Sequence, residues 1–426
     1  MTTPLHFPDL AYNAVLCRYD EIAIKGRNRS VFERKLVRAL KRTFHGIGRL
    51  GVVREPGRIY LFPPEGRETF NAADYRLMRE CTRHVFGLTS LSPGFLTAPD
   101  LAQIQHIVFE TFPALYRAYE GVIQADRSIG YAMRVRRRNR LLGMTSTELE
   151  IYFADRLLPR YPRLQVNLND PDLRVDVEIR EQRAFVFYER MAGPGGLPSG
   201  TGGRLLALLS GGIDSPVACY QVMKRGCTLD FVTFHSAPYT PPGTVTKVAA
   251  LVRVLKQWQW RGRLIAVNLL PAQRTIRDNC SERYRTLLYR RMMMRIASRL
   301  AGKVGAEALV TGEAIGQVAS QTLPNLGVIA QAASLMILRP LLTFDKQETI
   351  SIARFIGTLS ISEENIPDSC TVFAPDSPAT RADLDRIRAE ENELALDELL
   401  DACIRQSTVV NPETFEERPL ADALPA

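Results

Sequence analysis

Long apolar runs are missing from this 426-residue chain. No stretch approaches the roughly 18 consecutive apolar residues that a membrane span needs. The N-terminal MTTPLHFPDLAYN has neither the basic flank nor the apolar core of a secretion signal. A soluble, cytoplasmic protein with no membrane partner is expected. Histidine is scarce, at 5, and shows no zinc spacing. The 7 cysteines include no Cys-x-x-Cys pair, and an odd number in so long a chain does not read as a disulfide framework. No structural metal site is expected. A Gly-Lys-Ser/Thr phosphate loop and a Gly-x-Gly-x-x-Gly run are also lacking, which excludes two common nucleotide-binding devices. What is present is apolar material, 46% of residues against 24% charged, enough for two or three cores and too much for disorder to dominate.

Charge divides the chain. Residues 1–200 carry 30 Lys/Arg against 22 Asp/Glu, residues 201–360 carry 20 against 8, and residues 361–426 carry 5 against 16. A basic body suits a phosphate-rich partner, because each cation near a phosphate releases condensed counterions. High charge alone does not separate a nucleic-acid binder from a generally basic protein, so local pattern has to decide.

The pattern falls into segments. Residues 1–77 read as a small α+β unit: a strand from Ala14, an amphipathic helix with Phe32, Leu36, Val37, Leu40 and Phe44 on one side, and two strands joined at Pro56 and Gly57. Residues 78–188 form a second unit, with a helix over Leu101 to Tyr119, another opening at Ser146, and strands DLRVDVEIR and RAFVFYER. Residues 189–203 are rich in Gly and Pro and read as a linker or ligand-adjacent loop. From 204 to 380, short apolar strands alternate with helices, which implies a doubly wound parallel sheet. Residues 381–426 read as an acidic, helix-prone tail.

The segment LLALLSGGIDSPVACYQVMKRG carries the chemistry. An apolar strand runs through Ser210, Gly211, Gly212, Ile213, Asp214 and Ser215 into a helix. Two glycines permit a sharp turn and a close backbone approach to a ligand. Ser215 is expected to cap the helix, with Pro216 in its first position and Gly226 past its end. Unpaired N–H groups at such a start favour an anion, and the obvious one is a phosphate chain. This Ser-Gly-Gly-x-Asp-Ser loop resembles the PP-loop of ATP pyrophosphatases. Arg290 and Arg291 are candidates to meet phosphates. Gly312, with Gln317 and Gln321, suits an adenine or ribose.

With RYDEIAIKGRNRSVFE, RVRRRNRLLGMTSTELE, DPDLRVDVEIR, GPGGLPSG, RRMMMRIA and TGEAIGQVASQT, the chain resembles over nearly its whole length the tRNA 4-thiouridine synthetase, or tRNA sulfurtransferase, family. The resemblance implies an N-terminal ferredoxin-like α+β domain, a THUMP RNA-binding domain and a PP-loop adenylating domain. It also implies ATP and Mg²⁺ as cofactors, adenylation of O4 of uridine 8 in tRNA, and displacement of AMP by sulfur. Carried onto this sequence, ATP contacts fall at Leu206, Ala207, Ser210, Gly211, Gly212, Asp214, Ser215, Phe234, Arg290, Gly312 and Gln321. Asp214 and Cys370, in IPDSCTVFAPDSPATR, are the expected catalytic residues, Cys370 as persulfide carrier. RNA contacts fall at Lys25, Arg27 and Arg29 and at Arg134, Arg136, Arg137, Arg138 and Arg140. The other cysteines, Cys17, Cys81, Cys219, Cys227, Cys280 and Cys403, read as packing.

Some members of that family continue into a rhodanese-like domain, for which this chain is too short. A part in thiamine thiazole synthesis is therefore not expected, and a cysteine desulfurase is the expected persulfide donor. The oligomeric state stays open, with a homodimer as the candidate. Two other readings remain: a PP-loop enzyme delivering nitrogen to an adenylated RNA base, and a non-catalytic RNA-binding protein with a vestigial ATP loop.

Overall fold

The computed structural model describes residues 10–138, 143–367, 369 and 372–423. Asn139 to Leu142 and Cys370 lie outside the described residues, so the expected roles of Arg140 and Cys370 have no structural description. The chain divides into two compact units, one up to Pro198 and one from Ser199.

In the first unit the order is β1 (Ala14–Arg18), α1 (Arg29–Thr43), β2 (Leu50–Glu55), β3 (Arg58–Pro64), α2 (Ala72–Cys81), β4 (Ser90–Thr97) and α3 (Leu101–Glu120). There follow β5 (Ile129–Arg137), α4 (Ser146–Leu157), β6 (Leu164–Val166), β7 (Leu173–Ile179), β8 (Ala184–Phe187) and β9 (Met191–Ala192). Among the described residues the strands join one sheet in the order β2-β3-β1-β4-β8-β7-β5-β6, with β9 also on β4. Side chains alternate across it. Val15, Cys17, Ile59 and Leu61 join the large core with Leu36, Val108 and Phe153 of the helices, while Ala14, Leu16, Tyr60, Phe185 and Phe187 form a smaller cluster.

Residue 77, expected as a domain boundary, lies inside α2. Asn71 and Asp74 cap that helix reciprocally and carry it to Cys81. β4 then pairs antiparallel with both β1 and β8, tying the N-terminal strands to the later ones. The Gly/Pro-rich stretch is pinned by backbone bonds: Gly193 N–H donates to Thr89 O and Gly195 N–H to Leu88 O, both at 2.9 Å.

The second unit runs β10 (Arg204–Leu208), α5 (Asp214–Lys224), β11 (Thr228–His235), α6 (Gly243–Leu255), β12 (Leu264–Asn268), α7 (Leu270–Asn279), α8 (Arg285–Val304) and β13 (Ala308–Val310). Next come α9 (Leu323–Ala330), β14 (Met336–Leu338), α10 (Lys346–Ile356), α11 (Leu359–Ser362), α12 (Leu384–Asn392), α13 (Leu396–Arg405), β15 (Thr408–Val410) and β16 (Glu417–Pro419). The sheet order is β14-β13-β10-β11-β12-β15-β16, with the first five parallel and β15 and β16 antiparallel. Leu206, Val232, Phe234, Ile265 and Leu309 pack with α7, α8, α12 and α13, while α5 and α6 pack together and on β11. The chain leaves β10 toward β11 and returns to its other side as β13. That reversal of direction opens a crevice at the carboxyl end of β10, the usual ligand position in such sheets.

The acidic stretch expected as a tail is part of this unit. β15 extends the sheet beside β12, and Glu391 of α12 accepts from both Arg291 and Arg295 of α8. Asp397 and Asp401 meet Arg299 one turn further on. Its negative charge is complementary to the basic side of α8, which is why it folds there.

Candidate functional site

The loop after β10 is held by its own two serines. Ser215 Oγ accepts from Ser210 N–H at 3.1 Å and donates to Ser210 O at 3.2 Å. Ser215 thus closes the loop rather than capping the helix. α5 begins at Asp214, two residues before the expected first position, so Pro216 is its third residue; the preceding Ile213 is helical and has no side-chain cap. The first-turn N–H groups are left without a capping side chain at the crevice, as an anion site requires. Gly226, at φ 85°, ends the helix segment as expected.

A cavity of about 280 Å³ opens in front of the loop. Ser210, Gly212, Asp214, Ser215, Phe234, Arg290, Gly312 and Gln321 all line it, so eight of the eleven expected nucleotide contacts converge. Leu206 and Ala207 do not reach the wall: both are fully buried in β10, and Leu208 and Leu209 line the cavity instead. Gly211 faces a different recess, where an added Cβ would come within 3.1 Å of Lys247 Cδ. Gly312 is required by close approach. A Cβ there would lie 2.6 Å from Ser215 N and 2.7 Å from its Cα, so only glycine lets the segment after β13 pack on the start of α5.

Charge around the cavity is paired in two sets. Arg290 donates from Nη2 to Glu313 Oε1 and from Nη1 to Ser320 Oγ, both at 2.7 Å. Glu313 also accepts from Arg339 Nε at 2.5 Å and from Thr311 Oγ1 at 2.9 Å. Asp214 accepts from Lys346 Nζ at 2.7 Å and from Gln317 Nε2 at 2.9 Å. Gln321 Oε1 accepts from Ala314 N–H at 3.3 Å. Arg291 turns away from the cavity, is 2% exposed, and is bound to Glu391. Sequence reading missed Glu313, Arg339, Ser320 and Lys346. Glu313 directly follows the singled-out Gly312, whereas Lys346 stands far along the chain in a capped helix start and carries no local signal.

Burial pushes the thiols of Cys17 up to about 12 and of Cys280 and Cys403 up to about 11. It also raises those of Cys81, Cys219 and Cys227. None of these six free thiols is poised as a nucleophile. Ser369, next to Cys370 in sequence, lines the cavity. Among the described residues no group of His, Cys, Asp and Glu forms a metal cluster, and no helix is long and apolar enough to cross a membrane.

In the first unit, Arg27 is exposed, and Lys25 and Arg29 are partly so, in the turn leading into α1. Lys25 pairs with Glu21 at 3.7 Å and lies over the Phe32 ring. The two-residue period of β5 puts Arg134 and Arg136 on the side opposite buried Met133 and Val135. Arg136 and Arg138 are exposed, Arg137 is half-buried, and Arg134 donates to Leu168 O at 2.5 Å.

Three family profiles match: the thiamine biosynthesis protein ThiI over residues 200–396, the ThiI ferredoxin-like domain over 14–92, and the THUMP domain over 109–189. A probable tRNA sulfurtransferase of Moorella thermoacetica is 38% identical over 402 residues, covering 94% of this chain and 98% of its own. Another, of Coxiella burnetii, is 37% identical over 92% of this chain and 97% of its own. A solved structure described as a 4-thiouridine synthetase–RNA complex with bound ATP superposes with a TM-score of 0.81, at 33% identity, over 93% of this chain and 99% of that one. With a PP-loop cavity at one end of its parallel sheet and relatives of this identity along nearly its full length, the chain belongs to the tRNA sulfurtransferase family.

Proposed function

We infer that this chain is an ATP-dependent tRNA sulfurtransferase that activates O4 of uridine 8 as an adenylate and replaces that oxygen with sulfur to form 4-thiouridine. The observation that carries this reading is the convergence on one cavity of the Ser210–Ser215 loop, Arg290 and Ser369, the neighbour of Cys370. A triphosphate fits the loop amides at the start of α5, with Arg290 and Lys346 supplying charge. Attack of O4 on the α-phosphate releases pyrophosphate. The outer sulfur of a persulfide on Cys370 then attacks C4 and expels AMP. Cleavage of the remaining S–S bond draws on a thiol from outside the chain, since the six described cysteines are all raised in pKa by burial.

Magnesium fits the donor set. Of the two carboxylates lining the cavity among the described residues, Glu313 is held between Arg290 and Arg339, while Asp214 lies beside the loop. Asp214 would hold the ion together with phosphate oxygens, and the ion would neutralise charge developing on the leaving pyrophosphate. Lys25, Arg27, Arg29 and Arg134 to Arg138 bind the tRNA backbone, and the exposed guanidiniums among them suit phosphates. The persulfide comes from a cysteine desulfurase, in the cytoplasm, and a homodimer is the working assembly. Pyrophosphate release from MgATP that depends on unmodified tRNA, and that Asp214→Ala abolishes, tests this reading. Release that ignores tRNA or survives that substitution overturns it.

A further inference from the structure

Beside the cavity the second unit carries an aromatic and cationic cluster that none of these steps uses. Tyr239 stands in the loop after β11 and is 51% exposed. Its ring lies edge-on to Phe373 at 5.1 Å and 64°. Arg277 places its guanidinium 4.6 Å from the centre of the Phe373 ring, and Arg274 places its own 5.7 Å from that of Tyr239. The two arginines are three residues apart on α7 and so share one side of the helix. Phe373 sits at φ 58°, a left-handed conformation that costs a bulky residue about 1 kcal/mol or more and that clusters at functional sites.

Phe373 is partly buried against the core of the unit, but core packing does not account for Tyr239, half of which is open. The cluster's nearest carboxylate in sequence, Asp278, is already paired with Arg277 at 2.7 Å, leaving Arg274 to set the local sign. The cluster is also joined to the cavity. Ser236, whose carbonyl accepts from Tyr239 N–H at 2.8 Å, donates from Oγ to Gln273 Oε1 at 2.5 Å. Gln273, adjacent to Arg274, donates in turn to Ser369 O at 2.9 Å, and Ser369 is in the cavity wall.

We propose that Tyr239, Phe373, Arg274 and Arg277 form an RNA platform of the adenylating unit, on which a nucleobase extruded from the tRNA stacks while the guanidiniums hold the adjoining phosphates. This rests on the tRNA sulfurtransferase reading. A base that reacts at its ring edge has to leave its stack, and the stacking it loses is recovered on an aromatic face. Exposed tyrosine provides that face, and arginine provides both planar stacking and phosphate contact. Over the whole second unit Lys/Arg and Asp/Glu nearly balance, so the local charge decides: Arg274 and Arg277 on one side of α7, against the single neighbouring carboxylate Asp278 and beside an open tyrosine ring, favour a polyanion over a protein as the occupant.

The test compares full-length Tyr239→Ala, Tyr239→Trp and the double variant Arg274→Ala/Arg277→Ala with the unsubstituted chain. Four quantities are read: kcat/KM for tRNA in pyrophosphate release, the salt dependence of tRNA binding, MgATP affinity, and persulfide loading by a desulfurase without tRNA. Tyr239→Ala is expected to lower kcat/KM for tRNA about 10-fold, and Tyr239→Trp to stay within about 3-fold of the parent. The double variant is expected to shrink the slope of log K against log salt by about 1 to 2. MgATP affinity and tRNA-free loading are expected not to move. Unchanged tRNA kinetics and salt slope overturn the platform, as does a loss confined to persulfide loading, which would make the cluster a protein dock. Should Tyr239→Ala fail to fold, the tryptophan and arginine variants decide. Should the parent release no pyrophosphate at all, the functional reading fails, and tRNA affinity and its salt slope still decide the platform.

Discussion

Arg290 Nη2 lies 2.7 Å from Glu313 Oε1, and that carboxylate, 1% exposed, is what aims the guanidinium along the cavity wall. Arg339 binds the other oxygen, so one anion orders two cations. Glu313→Ala leaves both without a counter-charge in a buried setting and is expected to cost ~3–5 kcal/mol of stability, read by denaturant unfolding. Arg290→Lys keeps charge but loses the fork. It is expected to lower kcat for tRNA-dependent pyrophosphate release on the order of 100-fold with little change in unfolding midpoint.

Lys346 and Asp214 make the second pair, with side chains 44% and 21% exposed. An ion pair that open contributes only ~0–1 kcal/mol to stability. Lys346→Ala is therefore expected to leave the melting temperature nearly unchanged while raising the KM for MgATP roughly 10-fold, because a charge-assisted phosphate contact is lost. Removing the divalent cation with EDTA is expected to stop pyrophosphate release, and excess Mg²⁺ to restore it.

Thiol chemistry gives a third prediction. Burial raises the pKa of each of the six described cysteines, which disfavours their reactive thiolate forms. Limiting iodoacetamide followed by peptide mapping is expected to label Cys370 first. Without an added thiol, sulfur transfer is expected to halt after about one turnover per chain, because the S–S bond left on Cys370 has no partner among those six.

The link between Arg291 and Glu391 predicts an acid-sensitive term. Burial pushes the Glu391 carboxyl up, but hydrogen bonds from Arg291 and Arg295 outweigh it and hold the group below its ordinary 4.5. Unfolded, the group takes a proton near 4.5; folded, it does so only at lower pH. Its stabilisation is therefore whole above about pH 4.5 and is lost as pH falls through the depressed folded value. Glu391→Gln is expected to flatten that part of the stability–pH profile and to lower the unfolding free energy by ~3–5 kcal/mol at pH 7.

Elements whose cause is local were legible in the sequence. The apolar run into SGGIDS has one physical solution, a strand turning into a helix start, and eight of the eleven expected contacts line the resulting cavity. What was not legible depends on distant partners. Arg290 and Arg291 look equivalent in YRRMMM, yet helical rotation sends one to Glu313 and the other to Glu391, 100 residues away. The acidic stretch reads as a tail until the basic side of α8 is there to meet it. The boundary expected at residue 77 fails because β4 pairs back to β1, a long-range register that no nearby residue announces.

Nucleoside mass spectrometry of tRNA after incubation with the protein, MgATP, a desulfurase and labelled cysteine tests the central claim most directly. The expected result is labelled 4-thiouridine at position 8, dependent on ATP and absent with Cys370→Ser. Labelled nucleoside formed without ATP, or in undiminished amount by the serine variant, would contradict it.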